Sequence, residues 1–211
     1  MDKILYIVRH GETEMNKRRI VQGSGVDSNL NDYGRKQAQA FYKRYKDVKF
    51  DLVVVSGLKR TLETVHPFIL DGLPYIIKPE FNEISWGEHE GKESSQDTIN
   101  TYLRIMESWK QGNFEHTVPG GESPIELRKR LHAGLEFIQS LPYQKILICT
   151  HGRALRCMLT ILNNESMVEM EKYGHKNTCL YMVRLKDGVF HIDTHNNIDH
   201  LEESNLTIKD W

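Results

Sequence analysis

The chain has 211 residues, of which 39% are hydrophobic and 27% are charged, and its formal net charge is -1. This composition is typical of a globular protein and excludes a disordered or fibrous chain, while the near-neutral charge excludes a general attraction to nucleic acid or to an anionic membrane. No apolar run approaches the length of a membrane span, and the N-terminus leads into a predicted strand without a signal-peptide pattern. We therefore expect a cytoplasmic protein with a single domain over residues 1–211.

The first predicted element is a strand over residues 4–8, where five consecutive apolar residues indicate burial on both faces. It ends at Arg9-His10-Gly11, with Asn16 just beyond. Because ligands of open α/β sheets bind at the carboxyl ends of strands, a histidine here can be a nucleophile in a phosphate pocket, and Gly11 would let a ligand approach the backbone. The alternative is a strand-end histidine beside a surface arginine, since short motifs often match by chance.

The following elements alternate between helix and strand, which predicts parallel βαβ units and an α/β fold. Residues 16–30 are rich in Gly, Ser, Asp and Asn and predict a loop, and residues 85–92 predict a second one. The apolar spacing predicts helices over 33–45, 58–70, 96–110, 123–141 and 153–162, and strands over 52–55, 75–77 and 145–150.

The last third of the chain departs from this alternation. Residues 179–185 and 189–194 predict an antiparallel hairpin whose turn is Lys186-Asp187-Gly188. Residues 196–211 are polar and predict a mobile tail. The three cysteines, Cys149, Cys157 and Cys179, lie in apolar surroundings and form no Cys-x-x-Cys pair, which predicts buried reduced thiols rather than a disulfide or a metal site.

Chemistry-bearing residues follow three predicted strands: His10, Arg60 and His151. Parallel strands end on one edge of a sheet, so these side chains are expected to meet there. Two histidines that each follow an apolar run and precede a glycine are hard to attribute to packing alone. A small anionic ligand is the simplest partner for the basic residues near the first two strand ends, which are Arg9, Lys17, Arg18, Arg19, Lys59 and Arg60. The remaining histidines lack metal-ligand spacing.

In the order and spacing of these motifs, the sequence resembles the histidine phosphatase superfamily, in its phosphoglycerate mutase-like branch. The resemblance runs from Lys3 to about Leu185 and includes Gln22-Gly23, Glu83 in a loop with Gly87 and Glu90-Gly91, Pro119-Gly120-Gly121-Glu122-Ser123, and His151-Gly152 followed by Arg156. It implies a three-layer α/β sandwich with a mostly parallel central sheet flanked by helices. A small helical cap insertion over about residues 92–118 is also implied.

The resemblance also implies roles for individual residues. His10 would attack phosphorus and become a phosphohistidine, Arg9 and Arg60 would clamp the phosphoryl oxygens and lower the pKa of His10, and His151 would donate to the same oxygens. Glu83 would be the general acid and base. The substrate-binding residues would be Asn16, Gln22, Gly23 and Gly152, and the chemistry needs neither a metal nor another cofactor.

Three activities stay open at this point: a phosphomonoesterase, a mutase, and a phospho-ligand sensor without catalysis. The short cap favours hydrolysis, and the presence of both His10 and Glu83 argues against the sensor. The expected partner is a small phosphorylated metabolite, and a homodimer is left open. Three departures from the family pattern leave the substrate undefined. The loop before Asp27 has an extra residue, and positions 31 and 57 hold Asn31 and Gly57 in place of the residues usual in the family. The candidate selectors are Tyr102, Trp109, Phe114 and His116, with core packing favoured for Trp109.

Overall fold

The computed structural model describes residues 2–93 and 95–206 and has six strands and seven α-helices in this part of the chain. The strands are β1 (Lys3–Arg9), β2 (Leu52–Val55), β3 (Tyr75–Ile77), β4 (Lys145–Thr150), β5 (Leu180–Lys186) and β6 (Val189–Asn197). The helices are α1 (Glu14–Lys17), α2 (Asp32–Tyr45), α3 (Lys59–Leu70), α4 (Gln96–Lys110), α5 (Pro124–Ser140), α6 (Gly152–Leu162) and α7 (Asp199–Glu203).

All six strands form one sheet in the order β3-β2-β4-β1-β5-β6. The pairs β3-β2, β2-β4 and β4-β1 are parallel, whereas β5 and β6 are antiparallel additions at one edge. The predicted α/β class, the mostly parallel sheet and the hairpin are therefore confirmed. The carboxyl ends of β1, β2 and β4 lie side by side in this order, and that edge carries the candidate site.

The sheet is the middle of three layers because alternate residues of its strands face opposite sides. Leu52 and Val54 join one core with the apolar faces of α5 and α6, while Val53 and Val55 join a second core with α2 and α3. All four of these β2 side chains are buried, which is why the predicted strand reads as a continuous apolar run.

The predicted cap contains one helix, α4, which packs over the loop that follows β3. The ring of Trp86 from this loop stacks on Trp109 of α4 with centroids 5.8 Å apart and contacts Tyr102 at 5.4 Å. Trp109 is buried, and its indole N–H donates to the His116 carbonyl at 2.8 Å. The packing role expected for Trp109 agrees with this position.

The predicted tail is wrong for residues 196–206. β6 continues to Asn197, and α7 then packs on α2, with Leu201 and His200 fully buried. Arg44 of α2 forms ion pairs with Asp199 and Glu203 of α7. The acidic residues of α7 thus lie on its outer face. Its one apolar side chain, Leu201, gives too little periodicity to predict a helix from the sequence. Residues 207–211 of the predicted tail lie outside the described residues.

The cysteine prediction is confirmed, because Cys149, Cys157 and Cys179 are buried free thiols. Burial raises the pKa of Cys157 and of Cys179 to about 12, so both stay protonated at neutral pH. Among the described residues, no helix is long and apolar enough to span a membrane.

Candidate active site

His10 lies at the end of β1 with its ring orientation set by its own backbone neighbour. Its Nδ1 lies 2.7 Å from the Gly11 carbonyl oxygen, and because a carbonyl can only accept, Nδ1 carries the proton. In the neutral ring the lone pair is therefore on Nε2. Burial, and then the charges of Arg60 and Arg9, hold the pKa of His10 well below its usual value. The imidazole is consequently neutral and nucleophilic across the physiological pH range.

Glycine is required at position 11 for a reason different from the one that the sequence suggested. A Cβ at this position would meet the backbone oxygen of Gly34 at 2.7 Å, and a Cβ at Gly34 would in turn meet the Glu12 backbone. The two glycines allow the start of α2 to lie against the chain after β1. Gly11 therefore serves helix packing, and the expectation that it admits a ligand is wrong for its Cα position.

His151, at the end of β4, lies beside His10 with ring centroids 5.2 Å apart. Its Nδ1 accepts from Arg60 Nε at 3.1 Å, so Nε2 carries the proton and donates to Ser56 Oγ at 2.8 Å. Ser56 donates to Thr61, whose hydroxyl donates to the Leu58 carbonyl. Burial, and then Arg60, keep the pKa of His151 well below its usual value. Both ring nitrogens are thus engaged within the protein.

Arg60 is fully buried in the first turn of α3, behind the two histidines. Besides its bond to His151, it donates from Nη1 to the Val26 carbonyl at 2.7 Å and from Nη2 to the Gly23 carbonyl at 3.2 Å. Burial lowers its pKa only to about 10, so the guanidinium stays charged at neutral pH. The loop that contains Gly23 therefore holds Arg60 through its carbonyls.

Arg9 is nearly buried and crosses to the loop before β5, where its Nη1 donates to the His175 carbonyl. No acceptor among the described residues reaches its buried Nε. This donor lies against the first residue of α6, since a Cβ on Gly152 would be 3.5 Å from Arg9 Nε and 2.6 Å from the His175 ring. An unpaired charged N–H beside a helix N-terminus is a suitable place for an anion.

Glu83 reaches the same helix N-terminus from the loop after β3. Its Oε1 accepts from the backbone N–H groups of Ile84 and Ala154, both at 2.9 Å, and its Oε2 accepts from that of Arg153 at 3.0 Å. These bonds orient the carboxyl group, which is 7% exposed and borders the cavity beside Trp86. Oε2 has a single N–H donor and so keeps room for a proton.

A cavity of about 410 Å³ opens in front of these groups, a size suited to a small ligand. Six of the predicted residues line it directly, while Arg60, His151 and Gly23 lie behind its wall. Its polar and charged lining comprises Arg9, His10, Asn16, Arg19, Gln22, Glu83, Arg153 and His175, with Gly152 at the helix start, and its apolar lining comprises Ile20, Val21, Trp86 and Tyr102.

The predicted substrate-binding residues Asn16 and Gln22 are held by the N-cap of α1. Thr13 N–H donates to Asn16 Oδ1 at 3.1 Å, and Gln22 Nε2 donates to Thr13 Oγ1 at 2.7 Å. Among the cap residues named as selectors, Tyr102 lines the cavity, whereas Trp109, Phe114 and His116 do not. The selectors expected in the cap thus reduce to one side chain.

The structure adds residues that the sequence reasoning missed. His175 and Asn177 precede β5, and Asn177 Nδ2 donates to the His10 carbonyl at 3.0 Å. Because β5 runs antiparallel to β1, its first residues lie at the site edge, so the predicted hairpin was itself a usable signal. Arg153 directly follows His151-Gly152 in the sequence, but its position at the start of a predicted helix does not by itself indicate a role in the site. Among the described residues, no cluster of His, Cys, Asp or Glu could hold a metal ion.

Comparison with known proteins shows which family this chain resembles. The sequence model of the histidine phosphatase superfamily (branch 1) matches residues 5–198. The chain is 29% identical over 197 residues to "Putative phosphoserine phosphatase 2" of Hydrogenobacter thermophilus, covering 87% of this chain and 96% of that protein. It is 34% identical over 165 residues to "Probable phosphoglycerate mutase GpmB" of Yersinia pestis, covering 75% and 74%.

Two solved structures have the same fold. The alpha-ribazole phosphatase from Shigella flexneri superposes with a TM-score of 0.79 at 26% identity, over 92% of this chain and 96% of that one. Bacillus stearothermophilus YhfR superposes with a TM-score of 0.81 at 24% identity, over 94% and 99%.

Proposed function

The chain belongs to the histidine phosphatase superfamily, and we propose that it is a phosphatase that hydrolyses small-molecule phosphomonoesters through a phosphohistidine on His10. The observation that carries this proposal is the tautomer of His10. The Nδ1–H bond to the Gly11 carbonyl directs the Nε2 lone pair away from the chain, in a ring that borders the cavity. This is the arrangement that an in-line attack on phosphorus requires.

In the first step Nε2 of His10 forms a bond to phosphorus while the bond to the leaving oxygen breaks. Glu83 supplies the proton to that oxygen from Oε2. In the second step Glu83 takes a proton from water, which attacks phosphorus and breaks the P–N bond, so inorganic phosphate leaves and His10 returns to its neutral form. No metal ion takes part in this scheme.

The phosphoryl oxygens are stabilised by fixed positive groups. Arg9 contacts them through Nε–H, the donor that no acceptor among the described residues reaches, and the backbone N–H of Gly152 adds the positive end of the α6 dipole. Arg60 and His151 act from behind His10: their bonds to one another and to the loop keep the arginine charge close to the reacting ring. Arg60 and His151 can contact a phosphoryl oxygen directly only when the phosphoryl group lies at the deepest point of the cavity.

Asn16 and Gln22 bind the substrate from the rim, and Gly23 contributes through its carbonyl bond to Arg60. The cavity volume of about 410 Å³ suits a small phosphorylated metabolite better than a folded phosphoprotein.

A mutase is the second candidate, because a relative that is 34% identical carries that name. A mutase returns the phosphoryl group from His10 to a second hydroxyl of the substrate instead of to water. In the described residues of the cap between Gly91 and Pro119, α4 is the single helix, and a small cap gives water access to the phosphoenzyme.

The experiment is a phosphomonoester panel in which inorganic phosphate release and interconversion of 2- and 3-phosphoglycerate are measured on the same enzyme. Phosphate release from several substrates, with an acid-labile phosphoenzyme trapped by rapid quenching, is the expected result. Interconversion without phosphate release assigns the mutase. Activity that disappears on exhaustive chelation contradicts the metal-free scheme.

A further inference from the structure

Arg153 and Arg19 are charged side chains of the cavity lining that the hydrolysis scheme does not use, and Arg153 is the one beside the acid. It is the second residue of α6, and its backbone N–H holds Glu83 Oε2 at 3.0 Å. Its guanidinium extends along the cavity toward the cap and is only 7% exposed. A cation placed beside the acid, and away from the phosphoryl end, faces the part of a substrate that leaves.

The guanidinium of Arg153 has one strong partner and several weak ones. Nη1 forms an ion pair with Glu171, while Nη2 faces the Tyr102 hydroxyl and the Met106 sulfur, each at 3.2 Å. The Cζ atom lies 5.5 Å from the Trp109 ring centroid. A thioether and a neutral hydroxyl are poor acceptors for a desolvated cation. An anion in the cavity would be a better partner for Nη2.

The charge around Arg153 is not balanced. Its partner Glu171 also pairs with Arg156, at 2.6 Å, so two guanidinium groups share one carboxylate. Glu83 is the one acidic side chain among the described residues that line the cavity, and its oxygens already accept three backbone N–H groups. One positive charge is therefore left over at the cap end.

His175 is near the same cations. This imidazole lines the cavity, and burial, followed by the charges of Arg9, Arg156 and Arg153, lowers its pKa to about 2. The positive potential thus extends beyond the phosphoryl end of the cavity.

We propose that Arg153 is a specificity-determining residue whose guanidinium binds a carboxylate on the leaving group, so that the preferred substrates are phosphomonoesters of small hydroxy acids. This inference rests on the proposed phosphatase function. Nη2 of Arg153 donates to a carboxylate oxygen in place of Met106 and Tyr102, while Nη1 keeps its ion pair with Glu171. Tyr102 and Trp86 then cover the short carbon chain between the two anionic groups.

The test compares substrates that differ in the carboxylate alone. Phosphate release is measured with 3-phosphoglycerate against glycerol 3-phosphate, and with O-phosphoserine against phosphoethanolamine. A charge-assisted hydrogen bond of ordinary strength predicts a ratio of kcat/KM about 10- to 100-fold in favour of the carboxylates. In Arg153→Met this ratio is expected to collapse toward one, mainly through a higher KM for the carboxylates. Arg153→Lys, which keeps the charge without the fork, is expected to retain a small part of the preference.

Arg156→Met is the matched control, because it removes a cation from the same Glu171 without altering the cavity lining. Its substrate ratio is expected to fall far less than that of Arg153→Met, because the Arg153 guanidinium still faces the cavity. A wild-type enzyme that releases phosphate equally from both members of each pair overturns the inference, as does an unchanged ratio in Arg153→Met or an equal loss in Arg156→Met. Failure to release phosphate from any substrate, p-nitrophenyl phosphate included, overturns the proposed function instead.

Discussion

The two halves of the sheet meet at the candidate site and contribute to it in different ways. In the parallel half, β1, β2 and β4 each end at the site, and the residues that carry chemistry follow the strands: His10, Arg60 and His151. In the antiparallel half, β5 begins at the site, and the residues that precede it, Asn177 among them, support the backbone of the first group.

The support from the antiparallel half is specific. Asn177 Nδ2 bonds to the His10 carbonyl, Thr178 N–H donates to the Arg9 carbonyl at 3.1 Å, and Arg9 bonds to the His175 carbonyl. Thr178 has a φ of 54°, an unusual value for a β-branched residue. The surroundings impose this conformation, in part through the bond between the Thr178 hydroxyl and His200 of α7 at 2.9 Å. One half thus carries the groups to which we assign the reaction, and the other holds their backbone in place.

The largest expected effect tests the reacting half. His10→Ala should lower kcat by about 10⁴-fold or more, because the variant lacks the imidazole whose Nε2 is proposed to attack phosphorus. Phosphate release from p-nitrophenyl phosphate measures it. His132→Ala on the exposed face of α5 is the control and should keep full activity. Near-normal turnover by purified, folded His10→Ala would refute the phosphohistidine.

The second prediction concerns the acid. Glu83→Gln should slow alkyl phosphates by about 10²- to 10³-fold and an aryl phosphate far less, because an aryloxide leaves without much protonation. Steady-state kcat for the two leaving groups gives the comparison. Glu88→Gln, in the same loop but exposed, should leave both rates unchanged. Equal slowing of both substrates by Glu83→Gln would contradict the acid role.

The third prediction tests the supporting half. Asn177→Ala should lower kcat by about tenfold, since losing the bond to the His10 carbonyl loosens a ring whose position matters at the ångström level. Asn177→Asp has almost the same shape but no N–H donor, so it should lose at least as much. If Asn177→Asp keeps wild-type kcat, the antiparallel half does not position His10 through this bond.

The smallest effect is one of stability. Burial, and then the charge of Arg44, lower the pKa of His200 in the folded protein to about 4, against 6.5 for a histidine in the unfolded chain. The unfolded state therefore binds more protons between these values, so the stabilisation is present above pH 6.5 and is lost as the pH falls toward 4. His200→Gln keeps a polar group for Thr178 but cannot titrate.

Urea unfolding at pH 7.5 and pH 5.5 measures this effect. The wild type should lose about 1 kcal/mol more than His200→Gln over this interval. The other buried histidines with lowered pKa values contribute in both proteins, so the difference between the two proteins is the quantity to compare. Equal losses would show that His200 is not held neutral by its surroundings.

The sequence allowed good predictions where local pattern and site coincide. The strands over 52–55, 75–77 and 145–150 and the helix over 96–110 have the predicted bounds, because each is a continuous apolar run or a periodic one between clear turn signals. The same logic put His10 and His151 at one sheet edge. It failed for α7, whose five residues have too little periodicity to be visible, and for Gly11, whose neighbour Gly34 is distant in sequence.

The amino-acid sequence by itself determined the α/β class, the family and the residues able to carry phosphoryl chemistry, since these follow from apolar periodicity and from motifs at strand ends. Only the tertiary structure decided which nitrogen of His10 carries the proton, that Arg60 and His151 lie behind the cavity wall, and that Arg153 and His175 line it. The reason is physical: tautomers, burial and shared ion pairs depend on contacts between segments far apart in the chain, and no local pattern records them.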